Sequence, residues 1–272
     1  MAIWVYSSVS RQPSSVWARS SCVFCQIGLK LLHSETDDIS TVKSKGFQDK
    51  RVFVCPVCGW WKAERTQDID DFVHHIKFRA LYGAAASLRE LDLSDVSTPV
   101  EDIRSFLAAN YAKRGNVHPK LFEETVASGF RDHGYLAEVT AYSGDDGIDV
   151  ILARGSEKIG VQVKRYKNDI EVEQIRSLAG ALLLNGFTKG ILITTSEFQR
   201  GAQHTVERYK TRGYQIELYD AEKLYEALHI AQRNMYRSMD EFPVADVFNR
   251  LEVIDDHAQG RYAELPFTER FY

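Results

Sequence analysis

The sequence predicts an α/β fold in which helices flank a mixed five-stranded sheet, preceded by a smaller cysteine-bearing module. Two β-rich runs meet at a Gly155-Ser156 dipeptide, which is typical of a tight hairpin turn. Helical and β-rich segments then alternate as they do in proteins whose helices cover both faces of a sheet. All four cysteines of the 272-residue chain precede these segments, as two C-x2-C pairs.

The composition is that of an ordinary globular protein, with 44% hydrophobic and 26% charged residues. No apolar run approaches membrane-spanning length, and the start M-A-I-W-V-Y-S lacks the layout of a signal peptide. We therefore expect a cytoplasmic protein without membrane contact. The net charge of −4 argues against a protein coated in positive charge, although residues 1–65 carry a mild basic excess.

The first predicted domain, residues 1–66, holds the four cysteines, Cys22, Cys25, Cys55 and Cys58. Two C-x2-C pairs supply the four thiolates of a tetrahedral structural zinc site and leave no open position for water. A reducing compartment favours this metal site over disulfides. His33 is an alternative ligand, although a solvated loop histidine is more common. The module resembles a zinc ribbon, whose tryptophans we expect to pack around the metal rather than stack on bases.

Residues 67–116 are predicted to form a helical connector. Gln67 to Leu93 has the apolar spacing of one helix, and a second helix is expected from Pro99 to about Lys113. The connector could be a spacer, a dimer surface or a cap on the domain that follows.

Residues 117–232 contain the segments that predict the sheet, and residues 233–272 are predicted to be an acidic tail that packs on a partner or on another part of the chain. Glycines at 134 and 186 are placed to end two of the helices. The predicted elements are helix 119–133, strand 135–142, the hairpin, helix 171–185, strand 190–194, a helix capped by Ser196, strand 214–219, and helix 221–231 capped by Asp220.

The hairpin places polar side chains together at one end. If the turn is centred on Gly155-Ser156, Asp149 pairs with Gln162, and Lys164 lies on the same face. The other face then carries six apolar residues: Ile148, Val150, Leu152, Ile159, Val161 and Val163. A slip of one residue would move each strand's side chains to the opposite face, so the prediction depends on this register.

These polar groups suit phosphodiester chemistry. Mg²⁺ prefers oxygen ligands, and Asp149 would supply a carboxylate while the Gln162 amide oxygen or the Val163 carbonyl supplies a neutral ligand. The metal would lower the pKa of a water and polarise a phosphoryl oxygen, and Lys164 would orient that water and offset developing charge. Asp145 and Asp146 could assist the metal, although turn capping is their commoner role. The alternative for the whole cluster is solvated hairpin surface.

The same residues carry a family resemblance. The spacing D-x12-Q-x-K, preceded by G-D-D-G-I-D and followed by R-Y, resembles the Mrr-like branch of the PD-(D/E)xK nuclease superfamily, which has Gln where other branches have Asp or Glu. The segments F-E-E-T-V-A-S-G-F-R-D-H-G-Y and I-L-I-T-T-S-E-F resemble its first core helix and fourth strand. The resemblance spans about Pro119 to Ala231 and implies a restriction-endonuclease-like core. By this resemblance Asp149, Gln162 and Lys164 form the core motif, and Glu123 is the carboxylate carried by the helix. The alternative for Glu123 is an ordinary first-turn carboxylate that the helix dipole favours.

The resemblance implies a Mg²⁺-dependent DNA endonuclease of restriction or anti-phage defence. The cysteine spacing adds a structural Zn²⁺ in the first domain. Cutting both strands usually needs two sites, so we expect a homodimer or a subunit of a larger defence complex. RNA and branched DNA are alternative substrates. A catalytically idle nucleic-acid-binding or scaffold subunit is a further alternative. The presence of Asp149, Gln162 and Lys164 argues against it. A serine hydrolase is disfavoured because no G-x-S-x-G motif occurs.

Overall fold

A computed structural model describes residues 4–8, 17, 19–140, 147–233, 244–249 and 251–259. The chain divides into two compact units, one made of Met1–Glu90 with Tyr236–Tyr272 and the other of Leu91–Met235. Each unit contains a sheet of its own. Within the described ranges, no helix is both long enough and apolar enough to cross a bilayer.

The first unit is built on a six-stranded antiparallel sheet in the order β1-β5-β4-β3-β2, with β11 also paired to β5. The chain after the second unit therefore returns to this sheet through β11. The strands are β1 Trp4–Ser8, β2 Lys30–Asp38, β3 Ser44–Val54, β4 Trp61–Asp71, β5 Ile76–Leu88 and β11 Glu252–Gln259, and a short helix, α6, spans Val244–Asn249.

The predicted helix between residues 67 and 93 is wrong, because most of that segment forms the β4–β5 hairpin. Every residue of β4 pairs with β3, so long-range pairing overrides the helical spacing of the apolar residues. The turn is built by Asp71, whose Oδ1 accepts the amide hydrogens of Val73 and His74 at 2.8 and 3.1 Å. His75 completes the turn with a φ of 56°. The four-part division of the chain stays a prediction.

The second unit contains the predicted mixed five-stranded sheet, in the order β10-β9-β8-β7-β6. Strands β8, β9 and β10 run parallel to one another, whereas β6, β7 and β8 are antiparallel. The strands are β6 Leu136–Val139, β7 Val150–Arg154, β8 Glu157–Lys164, β9 Lys189–Thr194 and β10 Gln215–Tyr219. The helices are α1 Val100–Ala109, α2 Pro119–Asp132, α3 Val172–Leu184, α4 Ala202–Lys210 and α5 Ala221–Arg233, with a 3-10 helix at Tyr111–Asn116.

Helices cover both faces of this sheet. On one face α3 packs closely, because a Cβ added at Gly160 or Gly190 would lie 2.8 or 2.6 Å from Leu182 of that helix. A buried cluster on this face joins α3 and α4 to Leu192 and Ile216 of the sheet. The other face turns Ile159 and its apolar neighbours on β9 toward α2 and α5. The sheet is thus held between two helical layers.

The predicted hairpin register is confirmed. Val150 pairs with Val161, and the pairing continues to Arg154 opposite Glu157, with the turn at Gly155-Ser156. Ile148 departs from the prediction, however. It belongs to the buried cluster of α3, and its Cδ1 lies 2.8 Å from the position of a Cβ on Gly160, so it is on the Gly160 face rather than with Val150. The regular alternation of β7 therefore breaks just before Val150.

A second correction concerns the start of α4. We expected Ser196 to cap this helix, but α4 begins at Ala202. The Ser196 hydroxyl instead lies 2.9 Å from the hydroxyl of Thr194, whose oxygen also accepts the Ser196 amide hydrogen. Ser196 thus belongs to a local turn after β9. Asp220, in contrast, caps α5 as predicted, since its Oδ1 accepts the Lys223 amide hydrogen at 2.8 Å.

Candidate functional site

Asp149 lies where β7 stops following the ladder of β8. Its amide hydrogen bonds to the Val161 carbonyl at 2.8 Å, and its carboxylate Oδ2 accepts the amide hydrogen of Val163 at 2.6 Å. The carboxylate thus takes the place of a backbone carbonyl as acceptor for β8. This contact fixes the Asp149 carboxylate between Gln162 and Lys164 along the strand.

Gln162 presents an unusual buried amide. The residue is only 2% exposed, and its Nε2 donates to the Gly147 carbonyl at 2.8 Å. That bond orients the amide, and its Oε1 is a buried acceptor without a hydrogen-bond partner among the residues that the structure describes. Burying an acceptor oxygen without a partner costs folding free energy. The arrangement therefore favours a bound group that takes oxygen ligands, such as a hard cation.

Gly147 and Thr140 support these two residues, although sequence reasoning did not assign them a role. Gly147 has a φ of 87°, and a Cβ there would lie 3.1 Å from Gln162 Nε2. The Thr140 hydroxyl donates to the carbonyls of Ile148 and Asp149 at 2.7 and 3.1 Å. The glycine that follows Asp145-Asp146 was a usable signal, because such a position often needs a positive φ. Asp145 and Asp146 themselves lie outside the described residues.

Lys164 ends β8 and pairs with Thr194 of the parallel strand β9. Its side chain is partly buried and, in the part of the chain that the structure describes, has no hydrogen bond or ion pair. Alternation along β8 places it on the same face as Gln162. Its ammonium is therefore available at the end of the strand next to the residues that hold Asp149.

Glu123 lies on α2, beyond the first turn, which contains no acidic residue. The interpretation of Glu123 as a first-turn carboxylate favoured by the helix dipole therefore does not apply. Its charge acts on Arg165, the residue after Lys164. Burial lowers the pKa of Arg165, and the Glu123 carboxylate opposes that shift. The Arg165 guanidinium hydrogen-bonds to the Val117 carbonyl, which ties the end of β8 to the segment before α2.

The residues present fit a divalent metal at this position. The donor set is one carboxylate and one unpaired amide oxygen, with an ammonium two residues further along β8. Magnesium is commonly held by one or two protein oxygens, with the remaining positions left for water and phosphate. Two protein oxygens would leave most positions of the ion for water and phosphate, which suits chemistry on a bound ligand.

The four predicted cysteines of the first unit form a second cluster. All four are buried, and their sulfurs lie within 4.8 Å of one another. Cys22 Sγ and Cys58 Sγ are 3.7 Å apart, while a zinc tetrahedron with bonds of about 2.3 Å has edges of about 3.8 Å. No disulfide joins these four cysteines. Among the described residues His33 is not part of the cluster; it lies in β2 instead of a loop.

The two cysteine pairs have the same backbone design. The amides of Cys22 and Cys55 donate to the carbonyls of Ile27 and Trp60, each five residues ahead, at 2.8 and 2.6 Å. The residue after each pair has a positive φ, 60° at Gln26 and 77° at Gly59. These two matching turns bring the four sulfurs within 4.8 Å of one another. All four tryptophans are buried in this unit, as predicted, and Trp4 Nε1 donates to the Cys58 carbonyl at 2.7 Å.

The pKa values of the clustered thiols are shifted in opposite directions. Hydrogen bonds from neighbouring thiols lower the pKa of Cys22 and of Cys55, whereas burial raises the pKa of Cys58. Such a cluster gives up its remaining protons when a cation takes their place. The set could hold zinc with every coordination position filled by sulfur.

Comparison with known proteins gives a family match within the second unit. The family model Mrr_cat, described as restriction endonuclease, matches residues 114–228. The uncharacterized protein y4cE of Sinorhizobium fredii (strain NBRC 101917 / NGR234) is 34% identical over 102 residues, covering 34% of this chain and 26% of that relative.

Two solved structures are also similar. MspJI restriction endonuclease, in complex with a 27-mer oligonucleotide, has 22% identity and a TM-score of 0.33, covering 54% of this chain and 36% of that chain. The DNA modification-dependent restriction endonuclease AspBHI has 19% identity and a TM-score of 0.35, covering 53% of this chain and 39% of that one. The family match itself covers residues 114–228, and this segment is similar to the restriction endonuclease family Mrr_cat.

Proposed function

We propose that this chain is a metal-dependent endonuclease that hydrolyses DNA phosphodiester bonds in restriction or anti-phage defence. Asp149 and Gln162 would hold magnesium, Lys164 would act on the phosphate, and Glu123 would contribute from α2. One observation carries the proposal. Within the described ranges the buried Gln162 Oε1 has no hydrogen-bond partner, and Gln162 lies on the same strand as Val163, whose amide holds the Asp149 carboxylate.

The roles of the side chains follow from their contacts. Magnesium, when bound, supplies a positive charge that polarises a phosphoryl oxygen and makes a water more acidic. The Asp149 carboxylate is anchored by the Val163 amide, so it can present an oxygen without reorganising. Lys164 brings an ammonium that offsets negative charge on the reacting phosphate and can orient the attacking water.

The cysteine module would carry zinc as a structural ion. Its four buried sulfurs satisfy a tetrahedral ion completely, which leaves no position for a substrate. We propose that this unit docks nucleic acid or a partner protein. Because two strands must be cut, we further propose that the active form is a homodimer or part of a larger complex.

The experiment is cleavage of supercoiled plasmid by the purified chain with Mg²⁺ or with EDTA. Nicking or linearisation is expected with Mg²⁺ and not with EDTA. Lys164→Ala should abolish this cleavage and leave the Tm of thermal unfolding unchanged. Lys158→Ala is the matched control, because Lys158 is an exposed lysine at the other end of β8. Full activity of Lys164→Ala would remove the site assignment. Degradation of structured RNA but not of DNA would change the substrate and keep the site.

A further inference from the structure

A polar pocket of about 290 Å³ lies between α3 and α4 of the second unit. Three arginines line it, one from α3, one from α4 and one from the turn after α4, and no acidic residue of the described ranges lines it. The lining residues are Arg176 of α3, Thr205, Arg208 and Tyr209 of α4, and Arg212. Arg176 is paired with Glu173 at 2.6 Å, so Arg208 and Arg212 supply the positive charge that has no acidic partner among the described residues, and the pocket favours an anion.

The arginines keep donors for such an anion. Arg176 donates one hydrogen bond, from Nη1 to Glu173 at 2.6 Å, and Arg212 donates one from Nη1 to the Arg208 carbonyl at 3.0 Å. The Arg208 guanidinium forms no hydrogen bond or ion pair with any residue that the structure describes. Each guanidinium carries five N–H donors in a planar fork that matches two oxygens of a phosphate.

A purely structural explanation accounts for part of the cluster. Arg208 and Lys210 lie in the last turn of α4, where positive charge complements the helix dipole. That explanation does not bring Arg176 of a different helix to the same cavity. Lys210 also differs from Arg208, because it pairs with Glu207 at 3.9 Å and does not line the pocket. Lys210 is therefore a matched control on the same helix.

The pocket lies on the side of the sheet that carries the candidate site. α3 follows β8 and α4 follows β9, and these strands end at Lys164 and Thr194. Gln162 contacts Gly147 on this side, where a Cβ on Gly147 would lie 3.5 Å from Ala181 of α3. Helix α3 therefore borders the candidate site through Ala181 and the pocket through Arg176.

We propose that the three-arginine pocket binds a phosphodiester group of the nucleic-acid backbone, separate from the phosphate that is cut. This inference rests on the proposed function, since the phosphodiester would belong to the nucleic-acid substrate proposed above. The pocket would position the strand without reading its sequence, because a backbone phosphate is common to every nucleotide.

The test measures binding of a fluorescein-labelled DNA duplex by anisotropy across a range of salt concentrations, in a Lys164→Ala background that prevents cleavage. Arg208→Gln/Arg212→Gln should bind roughly tenfold more weakly than the background protein, because charge-assisted bonds to phosphate are removed. The slope of log K against log salt should fall by about one for each phosphate that the variant no longer neutralises. Lys210→Gln should bind within about twofold of the background.

Four outcomes decide the inference. Equal affinity and slope for the double variant and Lys210→Gln overturn it, while plasmid cleavage by the unaltered chain leaves the proposed function standing. Thermal stabilisation by inorganic phosphate or pyrophosphate that the double variant loses, with DNA affinity unchanged, assigns the pocket to free phosphate and also overturns it. Arginine-dependent DNA binding without any cleavage supports the pocket and removes the proposed function. Absence of DNA binding by the unaltered chain overturns both.

Discussion

The two clusters of candidate ligand atoms in this chain differ in how completely they surround an ion. The cysteine cluster offers four buried sulfurs, a set that satisfies tetrahedral zinc by itself. The site on β7 and β8 offers a carboxylate and one unpaired amide oxygen, so most positions on a magnesium ion would remain open. A closed set of ligands suits stability, and an open one suits chemistry.

The clusters also differ in what the backbone must do. Each cysteine pair is held by a turn whose hydrogen bonds span five residues. The other site depends on a break in a strand, where Asp149 leaves the ladder and its carboxylate accepts the Val163 amide hydrogen. Damage to the first cluster should therefore cost folding, while damage to the second should mainly cost activity.

The largest effect is expected from Cys55→Ser. Structural zinc contributes about 10–16 kcal/mol of binding free energy that is also folding free energy, so losing one thiolate should unfold the first unit. Emission spectrometry should find roughly one zinc per chain in the unaltered protein and far less in the variant. Ser21→Ala, next to a ligand, is the control and should keep both. A chain that is metal-free yet fully folded would falsify the zinc assignment.

Asp149→Asn should remove activity and leave stability nearly unchanged. An asparagine oxygen can still accept the Val163 amide hydrogen, but it lacks the negative charge that a divalent metal requires. We expect initial rates of plasmid nicking to fall by about 10²- to 10³-fold or more. Urea unfolding should give the same midpoint within error. Asp149→Leu, which removes the acceptor as well, should lose both activity and stability.

Gln162→Glu should couple stability to the metal. A carboxylate cannot donate to the Gly147 carbonyl, so the metal-free protein should lose about 1–3 kcal/mol in free energy of unfolding. The added negative charge should make the rise in Tm on adding Mg²⁺ larger than in the unaltered chain. An unchanged Mg²⁺ dependence of Tm would place the ion away from Gln162.

Gly147→Ala should have the smallest effect of the four, about 1–2 kcal/mol of destabilisation with a parallel loss of activity. The position has a φ of 87°, and the new Cβ would lie 3.1 Å from Gln162 Nε2. Gly180→Ala on α3 is the matched control. It has open space for a Cβ and should stabilise the protein by about 0.5–1 kcal/mol. Equal chemical-denaturation curves for the two variants would contradict the prediction.

Local signals in the sequence were sufficient for the hairpin register and for most helices of the second unit. Gly155-Ser156 fixed the turn, and the glycines at 134 and 186, with φ values of 81° and 69°, follow α2 and α3 as predicted. The cysteine spacing was sufficient for the cluster of four sulfurs. In each case the determining residues are neighbours in the chain.

Other features could not be read locally. The β4–β5 turn uses Asp71 and a positive φ at His75, without the glycine or proline that usually marks a hairpin, and pairing with β3 decides that strand. The displacement of Ile148 follows from a departure of β7 at Asp149 that strict alternation does not predict. The Oε1 of Gln162 lacks a partner among the described residues because the amide is buried and oriented by its bond to Gly147, and both are tertiary properties.

The pairing of β11 with β5 has a consequence for synthesis. The second unit is contiguous in the chain, whereas the cysteine unit includes a strand that is translated after the second unit. During synthesis the ribosome therefore releases the whole of Leu91–Met235 while one edge of β5 still awaits Glu252–Gln259. Until then that edge offers unpaired amides and carbonyls over residues 77–83, a place where a nascent chain could join the wrong strand.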